Sequence, residues 1–183
     1  MKTVILNGNP ATGSIKFNQY LGRLVDVLNQ VSQKTLMFNL AEMKIHYCVG
    51  CFNCWLATPG QCVYRDDMDR ILTEVAEADR LIYASPLVMG FIHSSLKQVM
   101  DRTIPLILPY IGIYRGECHH YLRYEKSPLL GVLVEKEPDT DPEDLDIVNT
   151  SFQRLALNFR SRLLFTKTTE SPVEEVAHEI SHV

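Results

Sequence analysis

The sequence predicts an α/β fold in which a five-stranded parallel sheet is covered by helices on both faces. Three observations support this prediction. Five short segments are continuously apolar, as is usual for strands that are buried on both faces of a sheet. Each segment is followed by residues with helical periodicity. Crossovers between parallel strands are right-handed almost without exception, so the helices are expected on both faces, as a doubly wound three-layer sandwich.

The strands are placed by their apolar runs and by the turn residues after them. The first closes on Asn7-Gly8-Asn9-Pro10, a strong turn signal, and the third is expected to stop at Pro86. Periodicity does not distinguish a Rossmann-like from a flavodoxin-like strand order. Ligands of such sheets bind beyond the carboxyl ends of the strands, where we expect loops 7–18, 46–66 and 85–94. The predicted strands are 3–6, 35–40, 80–85, 129–135 and 162–167.

The helices are placed by apolar residues at helical spacing and by residues that favour a helix start. Asp66 or Asp67 is expected to cap the second helix, and Ser94 or Ser95 the third. Ser171-Pro172-Val173-Glu174 has a serine, a proline and a glutamate at the spacing of a capping box, which predicts the start of the last helix. The apolar stripes of the earlier helices run through 17–31, 68–76, 96–100 and 147–159.

Length and composition indicate one ordinary globular domain over residues 1–183. The net charge is −4, and no cluster of Lys and Arg is interleaved with aromatic residues, which argues against nucleic-acid binding. No apolar run approaches the roughly 20 residues that cross a bilayer, and the run before Asn7 is too short for a signal peptide. We therefore expect a cytoplasmic protein without membrane contact.

Residues 103–128 form the one irregular region. The segment is too long for a simple connection and predicts a lid or a partner-facing insertion. It contains "ECHHYLRY", in which Cys118, His119 and His120 could ligate a metal and Arg123 adds a charge. Adjacent side chains seldom point at one centre, so a surface or partner role is preferred. The tyrosines of the segment indicate a dimer contact or a wall over a bound ring.

The stretch "HYCVGCFNCWLATPGQC", residues 46–62, holds four of the five cysteines: Cys48, Cys51, Cys54 and Cys62. In a reducing compartment, clustered cysteines serve metals or redox chemistry more often than disulfides. Two successive gaps of two residues suit a 4Fe–4S cluster better than structural zinc, whose CxxC pairs are usually far apart. Zinc, a redox dithiol and cysteines with none of these roles stay open as alternatives. His46 is expected to be a loop residue rather than a ligand.

Two other loops have features of a ligand site. "NGNPATGSIKFNQ" places glycines and small polar residues before a helix N-terminus, which suits either a phosphate site or an ordinary strand–helix turn. It lacks both the GxGxxG fingerprint and the P-loop pattern. "ASPLVMGFIHSSLKQVMDR" indicates an exposed backbone ledge at the sheet edge. Such a ledge can read the polar rim of a planar ring.

The pattern SPxxxGxxxSxLKxxxDR over 85–102, together with the turn Gly8-Asn9-Pro10, resembles the NADPH-dependent FMN reductase family of flavodoxin-like proteins. The C-x2-C-x2-C motif with a fourth cysteine further on is similar to the iron–sulfur flavoprotein branch of that family. The resemblance covers about residues 1–102. It implies a flavodoxin-like three-layer sandwich with strand order 2-1-3-4-5 and FMN at the tips of the first and third strands.

By position, the resemblance implies that the FMN phosphate lies at 8–18 and the isoalloxazine ring along 86–90. It further implies that the four cysteines of 46–62 hold a 4Fe–4S cluster close to the flavin. No side chain is assigned as catalytic, because the flavin carries the chemistry. The implied phosphate residues are Asn9, Ser14, Lys16 and Asn18, and the implied ring residues are Pro86, Leu87, Val88, Met89 and Gly90.

Three features depart from the family pattern. Asn9 and Ala11 stand where Ser and Arg are frequent, and Val88 stands where an aromatic residue is frequent. The loop "EKEPDTDPED" after the fourth strand is acidic and has no glycine, although relatives commonly approach the flavin there with glycines. Acidic side chains disfavour the anionic reduced flavin and repel the phosphate of a pyridine nucleotide.

The resemblance implies an FMN-dependent oxidoreductase with NAD(P)H as co-substrate. The electrons would pass to a small acceptor such as a quinone or a flavin, through the 4Fe–4S cluster where one is present. One alternative is an electron-transfer flavoprotein that docks with redox-protein partners and has no substrate of its own. Another is a non-catalytic relative that has lost FMN. The family also implies a homo-oligomer, either a dimer or a tetramer.

Overall fold

The computed structural model describes residues 1–31 and 34–182. In that part of the chain the strands are β1 (Lys2–Asn7), β2 (Lys34–Asn39), β3 (Arg80–Val88), β4 (Phe91–Ile92), β5 (Ile107–Tyr114), β6 (Glu117–Leu122), β7 (Leu129–Glu135) and β8 (Leu163–Thr168). Five of them form a parallel sheet in the order β2-β1-β3-β7-β8. This is the predicted order 2-1-3-4-5, so the prediction of a flavodoxin-like sheet is confirmed.

The helices alternate with the parallel strands. They are α1 (Ile15–Gln30), α2 (Asn53–Leu56), α3 (Met68–Ala76), α4 (Ser94–Asp101), α5 (Pro142–Asn158) and α6 (Val173–Ser181), with short 3-10 turns at Leu40–Glu42 and Ile104–Leu106. Helix α5 begins five residues before the predicted apolar stripe at 147, so the end of the acidic loop belongs to its first turn. No helix in 1–31 or 34–182 is both long enough and apolar enough to span a membrane.

Apolar side chains on both faces of the sheet form two separate core layers. Val4 and Leu6 of β1 belong to the layer under α3, α4 and α5, while Ile5 between them belongs to the layer under α1 and α6. This alternation follows from the period of two in a strand. All three side chains are fully buried, and burying one such side chain contributes about 1.5–3 kcal/mol.

Strand β3 is longer than predicted, because Pro86 does not end it. Pro86 is paired with Glu135 of β7, and the chain then turns back so that Leu87 pairs with Ile92 of β4. The fixed φ of proline is compatible with extended backbone, and only a missing N–H distinguishes it from other strand residues. The predicted open loop at 85–94 is therefore a tight β3–β4 hairpin.

Two predicted helix caps are corrected by the structure, and one cap was not predicted. Helix α4 is capped by His93, whose side chain accepts from the N–H of Ser95, and not by Ser94 or Ser95. Helix α6 has no side-chain cap, so the capping box predicted at Ser171 is not formed. A complete capping box occurs at α5, where Asp141 and Asp144 each accept from the other's backbone N–H.

The insertion at 103–128 contains an antiparallel hairpin of β5 and β6 that is separate from the central sheet. Its tip is the pair Arg115 and Gly116, both with positive φ.

Helix α3 starts after Asp67, and the carboxylate of Asp66 accepts from the N–H of Met68 at 3.1 Å. Asp66, one of the two aspartates predicted to cap this helix, therefore caps it from the position before the N-cap residue Asp67.

Candidate functional site

The first loop, between β1 and α1, is shaped by the side chain of Asn9. This amide is buried, donates to the carbonyl of Ser14 at 2.8 Å and accepts from the N–H of Ser14 at 3.1 Å. The loop can close this tightly only because position 13 is glycine, where any Cβ would collide with the Asn9 side chain. Asn9 therefore determines the shape of the loop and has little hydrogen-bonding capacity left for a ligand.

The N-terminus of α1 presents unpaired backbone donors. Within the described residues, the N–H groups of Ala11, Thr12, Ile15 and Lys16 have no hydrogen-bond acceptor. The N-cap Ser14 accepts from the N–H of Phe17 at 3.1 Å. Unpaired N–H groups at the positive end of a helix dipole form an anion site.

The predicted phosphate residues are divided between two sides of this helix end. Asn9 and Asn18 line a cleft of about 360 Å³ toward β2, and Asn18 also accepts from the amide of Asn7 at 3.0 Å. Ser14 faces the opposite side, where its hydroxyl donates to a carboxylate oxygen of Glu135 at 2.8 Å. Lys16 is exposed on the first turn of α1.

The third loop lies beside the first. The N–H of Gly8 donates to the carbonyl of Ala84 at 2.8 Å, and the hydroxyl of Ser95 donates to the carbonyl of Gly8 at 3.1 Å. Any Cβ at position 8 would lie 2.9 Å from Cβ of Leu96, which is too close. The structure thus joins the first loop to the residues on either side of the predicted ledge.

The ledge at 86–90 ends in a two-residue hairpin turn. Met89 and Gly90 both have positive φ, of 54° and 76°, as expected for the tight turns that suit the twist of a β-hairpin. Pro86 is half-buried and Leu87 is buried, whereas Val88 is 45% exposed and Met89 is 94% exposed. The exposed end of the ledge can therefore contact a ligand without any rearrangement of the core.

Carboxylates surround this ledge. The N–H of Gly90 donates to Glu137 at 3.3 Å, and the carboxylate of Asp144 lies against the same glycine. Together with Glu135, these side chains make the sheet edge between the first and third loops acidic. The sequence showed that the loop after the fourth strand is acidic, but not which side chains face the ledge.

All four cysteines of 46–62 line one small cavity. It is closed by apolar side chains, including Phe52, Val63, Tyr64 and Ile104. None of the five cysteines of the chain is in a disulfide. Burial raises the pKa of the Cys54 thiol, and the negative charge that Cys62 can carry acts in the same direction. The sequence prediction that these four residues belong together is supported by their common cavity.

The cysteine segment is folded by a few local contacts. Phe52 has a positive φ of 55°, which reverses the chain before the one-turn helix α2. The indole N–H of Trp55 donates to the carbonyl of Ile107 at 2.9 Å, so α2 is attached to the start of the β5–β6 hairpin. The N–H of Gly60 returns to the carbonyl of Cys54 at 2.9 Å.

The cysteine segment packs along helix α4. After β2 the chain runs along α4, where Gln98 donates to the carbonyl of Ile45 and Arg102 to that of His46. The cysteines therefore lie beside the C-terminal end of α4, while the ledge lies at its N-terminal end. An eight-residue helix is about 12 Å long.

A buried ion pair joins α4 to the cysteine segment. Arg102 and Asp66 have side chains that are 1% and 4% exposed, and the guanidinium contacts both carboxylate oxygens, at 2.9 and 3.0 Å. Burial opposes charge on both groups. For Asp66, hydrogen bonds from Arg102, His46 and Met68 outweigh burial and hold the carboxyl pKa well below its usual range.

The cysteines also affect the pKa of the Arg102 guanidinium. Burial would lower its pKa, but the hydrogen bonds to Asp66 and the negative charges that Cys62, Asp66 and Cys48 can carry leave it raised. The sequence contained Arg102 only as the last letter of a family pattern, and Asp66 only as a possible helix cap. Their partnership was missed, because no local signal reports that a charged residue at a helix end is buried.

The remaining predicted ligands are placed elsewhere. His46 is an exposed loop residue, as expected: its ring stacks on Tyr64 and contacts Asp66 at 3.0 Å. His119 is buried between Asn158 and Glu117, and His120 packs against Trp55. The metal alternative for "ECHHYLRY" is therefore not supported, whereas Arg123 of the same segment reaches the cysteine segment through the carbonyl of Cys54.

Within residues 1–31 and 34–182, no group of three or more His, Cys, Asp or Glu side chains is close enough to hold a metal ion. The four cysteines therefore share a cavity without the tight arrangement that one ion requires. A structural zinc site has four ligands within about 2.0–2.3 Å of the metal. The zinc alternative for the cysteine segment is not supported by this arrangement.

The chain is similar to known proteins in its amino-acid sequence. A family model described as NADPH-dependent FMN reductase matches residues 1–115. An iron–sulfur flavoprotein of Methanocaldococcus jannaschii is 36% identical over 84 residues, which are 44% of this chain and 42% of that protein. One of Archaeoglobus fulgidus is 39% identical over 67 residues, 37% of this chain and 30% of that protein. The matched segments span less than half of these two relatives.

Solved structures show the same fold over nearly the whole chain. An FMN-dependent NADH-azoreductase from Bacillus anthracis, in complex with FMN, has a TM-score of 0.68 at 15% identity, and the match covers 99% of each chain. An NAD(P)H:quinone oxidoreductase from Methanothermobacter marburgensis has a TM-score of 0.64 at 15% identity, covering 99% of this chain and 98% of that one. These similarities confirm the flavodoxin-like fold.

Proposed function

The chain belongs to the NADPH-dependent FMN reductase family, and on that premise we propose that it is an oxidoreductase that binds FMN and takes electrons from NAD(P)H. The observation that carries the proposal is the juxtaposition of two loops. The loop that leads to the unpaired N–H groups of α1 is hydrogen-bonded, through Gly8, to Ala84 and Ser95 on either side of the ledge at 86–90. A phosphate and a planar ring of one ligand need these two features side by side.

The proposed phosphate site is the start of α1. The free N–H groups of 11–16 are its main donors, with the hydroxyl of Ser14 and the ammonium group of Lys16 beside them. Asn9 and Asn18 line the cleft on the side toward β2. Asn9 maintains the conformation of the loop by accepting from the N–H of Ser14. Glu135, which accepts from the hydroxyl of Ser14, opposes an anion at this end.

The proposed ring site is the ledge Pro86, Leu87, Val88, Met89 and Gly90. Val88 and Met89 offer exposed apolar surface next to the turn at 89–90. Glu137 accepts from the N–H of Gly90, so a ring that uses this donor must displace a carboxylate. FMN, when bound, supplies the ability to take two electrons from a nicotinamide and release them one at a time.

We further propose that Cys48, Cys51, Cys54 and Cys62 hold a 4Fe–4S cluster. The four thiols line one cavity, and thiolates are the preferred ligands of iron–sulfur clusters. A cubane carries its ligands on four separate iron atoms, so it fits cysteines that surround a cavity without converging on one ion. The relatives named iron–sulfur flavoproteins support the same proposal.

The proposed acceptor is a small molecule such as a quinone or a flavin. A cavity of about 380 Å³ beside Cys48 has a size suited to such a ligand, and its apolar wall includes Met100, Ile104, Leu155 and Phe159. A redox protein is the second candidate acceptor. It is favoured by the exposed apolar side chains of Tyr47, Val49, Phe52 and Leu56 around the cysteines.

We propose a single cytoplasmic domain that forms homo-oligomers, by analogy with the family.

The experiment that tests this function is the visible spectrum of protein purified without oxygen, with iron and sulfide assayed on the same sample. Flavin bands with roughly four irons per chain support both proposals. Flavin bands without iron leave an FMN reductase and refute the cluster. A colourless protein that takes up no added FMN refutes both and favours a relative that has lost FMN. Reduction of the flavin by NAD(P)H after rapid mixing then separates the enzyme from a pure electron-transfer protein, whose flavin the nicotinamide leaves oxidised.

A further inference from the structure

Arg102 closes the base of the cysteine segment. Its Nη1 donates to the carbonyl of His46 at 2.8 Å, two residues before Cys48, and its Nη2 donates to the carbonyl of Tyr64 at 3.4 Å, two residues after Cys62. Both ends of the segment are therefore attached to one guanidinium at the end of α4. The carboxylate of Asp66 holds that guanidinium in place from the other side.

The donors of Arg102 can be counted. A guanidinium has five N–H bonds, two on each Nη and one on Nε. The four Nη bonds are matched by four acceptors: the carbonyls of His46 and Tyr64 and the two oxygens of Asp66. Nε is buried and has no acceptor among the described residues. A buried donor without a partner is costly, because it has lost water and gained nothing in return.

The groups around Arg102 indicate which kind of acceptor its Nε–H can have. The guanidinium is within electrostatic reach of Cys62 and Cys48, and both line the cavity of the cysteine segment. A positively charged donor next to anionic sulfur is a favourable combination, since charge-assisted hydrogen bonds are the stronger ones. Hydrogen bonds to sulfur are also one of the means by which a protein sets the reduction potential of an iron–sulfur cluster.

We propose that Arg102 is a positioning residue of the cysteine site: it fixes the separation of Cys48 and Cys62 and donates its Nε–H to a sulfur atom of that site. The proposal rests on the proposed cluster for the identity of the sulfur, but the closure of the segment does not depend on it. Arg102 then has two effects. It holds the ligands in place before the cluster forms, and its charge favours the reduced, more negative state of the cluster.

The test compares Arg102→Lys and Arg102→Gln with the wild-type protein. The control is Arg65→Gln, which also removes one positive charge near the cysteine segment, at an exposed side chain that contacts Asp69 and Gln61. Three quantities are measured: iron and sulfide content after anaerobic reconstitution, the reduction potential of the cluster, and amide hydrogen exchange of 46–64 in the protein without iron.

We expect both Arg102 variants to retain iron roughly 10-fold to 100-fold less tightly, as is usual for groups that support metal ligands. Loaded Arg102→Gln should have a more negative cluster potential than the wild type, with Arg102→Lys between them because it keeps the charge. Exchange of 46–64 should be faster in both, while Arg65→Gln matches the wild type throughout. An Arg102→Gln protein with unchanged potential and unchanged exchange would overturn the proposal.

Two further outcomes are distinguishable. If the wild type itself takes up no iron, the proposed cluster and the donation to its sulfur fail, while exchange of 46–64 still decides whether Arg102 closes the segment. If Arg102→Gln does not fold, Arg102→Lys and Asp66→Asn are compared instead. Iron retention and exchange equal to wild type in both of these variants contradict the proposal.

Discussion

The hydroxyl of Ser14, the residue that caps α1, lies 2.8 Å from Oε1 of Glu135 at the end of β7. The same oxygen accepts from the N–H of Phe17, so one hydroxyl joins the start of a helix to a carboxylate 121 residues further along the chain. The carboxylate thereby occupies the end of α1 where the helix dipole stabilises an anion. A phosphate that binds at this helix end has to share the position with Glu135 or displace it.

Replacing Glu135 by Gln should therefore strengthen the binding of FMN. Removing one like charge near a phosphate is worth about 1 kcal/mol in water-exposed surroundings, which is roughly a fivefold gain in affinity. The measurement is quenching of flavin fluorescence during titration of the apoprotein. Riboflavin has the same ring and no phosphate, so its affinity should stay unchanged. The matched control is Glu170→Gln, an exposed carboxylate paired with Lys136. Equal gains for FMN and riboflavin would argue that Glu135 acts on the ring or on the fold.

Replacing Gly90 by Ala should destabilise the protein and weaken flavin binding. Position 90 has a φ of 76°, and a Cβ there would collide with the carboxylate of Asp144. A side chain in the left-handed region costs about 1–2 kcal/mol before that collision is counted. The free energy of unfolding is measured in urea, and flavin affinity by fluorescence.

Gly22→Ala provides the control for this prediction. Gly22 lies within α1, and a Cβ there would meet no atom within 4 Å. Alanine is preferred over glycine inside a helix by about 1 kcal/mol, so this variant should be more stable than the wild type. The two glycine-to-alanine substitutions are thus expected to change the free energy of unfolding in opposite directions. A stabilised Gly90→Ala protein would contradict the conformation described for the turn at 89–90.

The sheet could be predicted from the sequence because its signal is local. Strands buried on both faces are continuously apolar, as in Leu129–Glu135, where the predicted and observed bounds coincide. The end of β3 was misplaced because a proline is compatible with a strand whose neighbours do not need its N–H. The cap predicted at Ser171 was wrong: α6 begins after Pro172 and has no side-chain cap.

The candidate site was predicted in its parts but not in its arrangement. The cysteines were identified by their spacing, and the first and third loops by their turn residues. The position of the cysteine segment depends on hydrogen bonds from Gln98 and Arg102. These contacts join residues more than 50 positions apart, and the spacing of apolar residues in the sequence does not predict them. Glu135 and Glu137 are equally inaccessible from the sequence. A carboxylate after a strand is normally solvated. The strand register pairs Glu135 with Pro86, and a hydrogen bond from the N–H of Gly90 places Glu137 at the ledge.

Replacing Tyr83 by Phe should raise the free energy of unfolding by about 1 kcal/mol. Tyr83 is fully buried in β3 against Phe152, its hydroxyl has no hydrogen-bond partner among the described residues, and burial raises its pKa. A buried hydroxyl without a partner costs about 1–3 kcal/mol, which the substitution removes together with the group. The control is Tyr20→Phe, because the Tyr20 hydroxyl donates to the carbonyl of Ser171 at 2.9 Å. That variant should lose about 1 kcal/mol. A loss at both positions would show that the Tyr83 hydroxyl has a partner in solution.

The ion pair of Asp66 and Arg102 should make stability depend on acid in a defined way. Burial works against the charge of Asp66, but its hydrogen bonds from Arg102 and from backbone N–H groups hold its pKa below the usual value. The unfolded chain has the ordinary aspartate pKa of about 4. The stabilisation is therefore complete above about pH 4, and it is lost as the pH falls from there toward the lower pKa of the folded protein, by about 1.4 kcal/mol per pH unit.

Asp66→Asn has no carboxylate to protonate, so its stability should lack this dependence. At pH 7 it should be less stable than the wild type by about 3 kcal/mol, because Arg102 is left as a buried charge without its counter-ion. The difference should shrink as the pH is lowered from 4 to 3, since only the wild type loses stability through this carboxyl. Urea unfolding at pH 7, 5, 4 and 3 measures both curves. Asp69→Asn, which affects the exposed pair with Arg65, should run nearly parallel to the wild type. A constant gap between wild type and Asp66→Asn down to pH 3 would mean that the Asp66 carboxylate titrates alike in the folded and unfolded chain. The buried pair would then contribute nothing to stability through its charge.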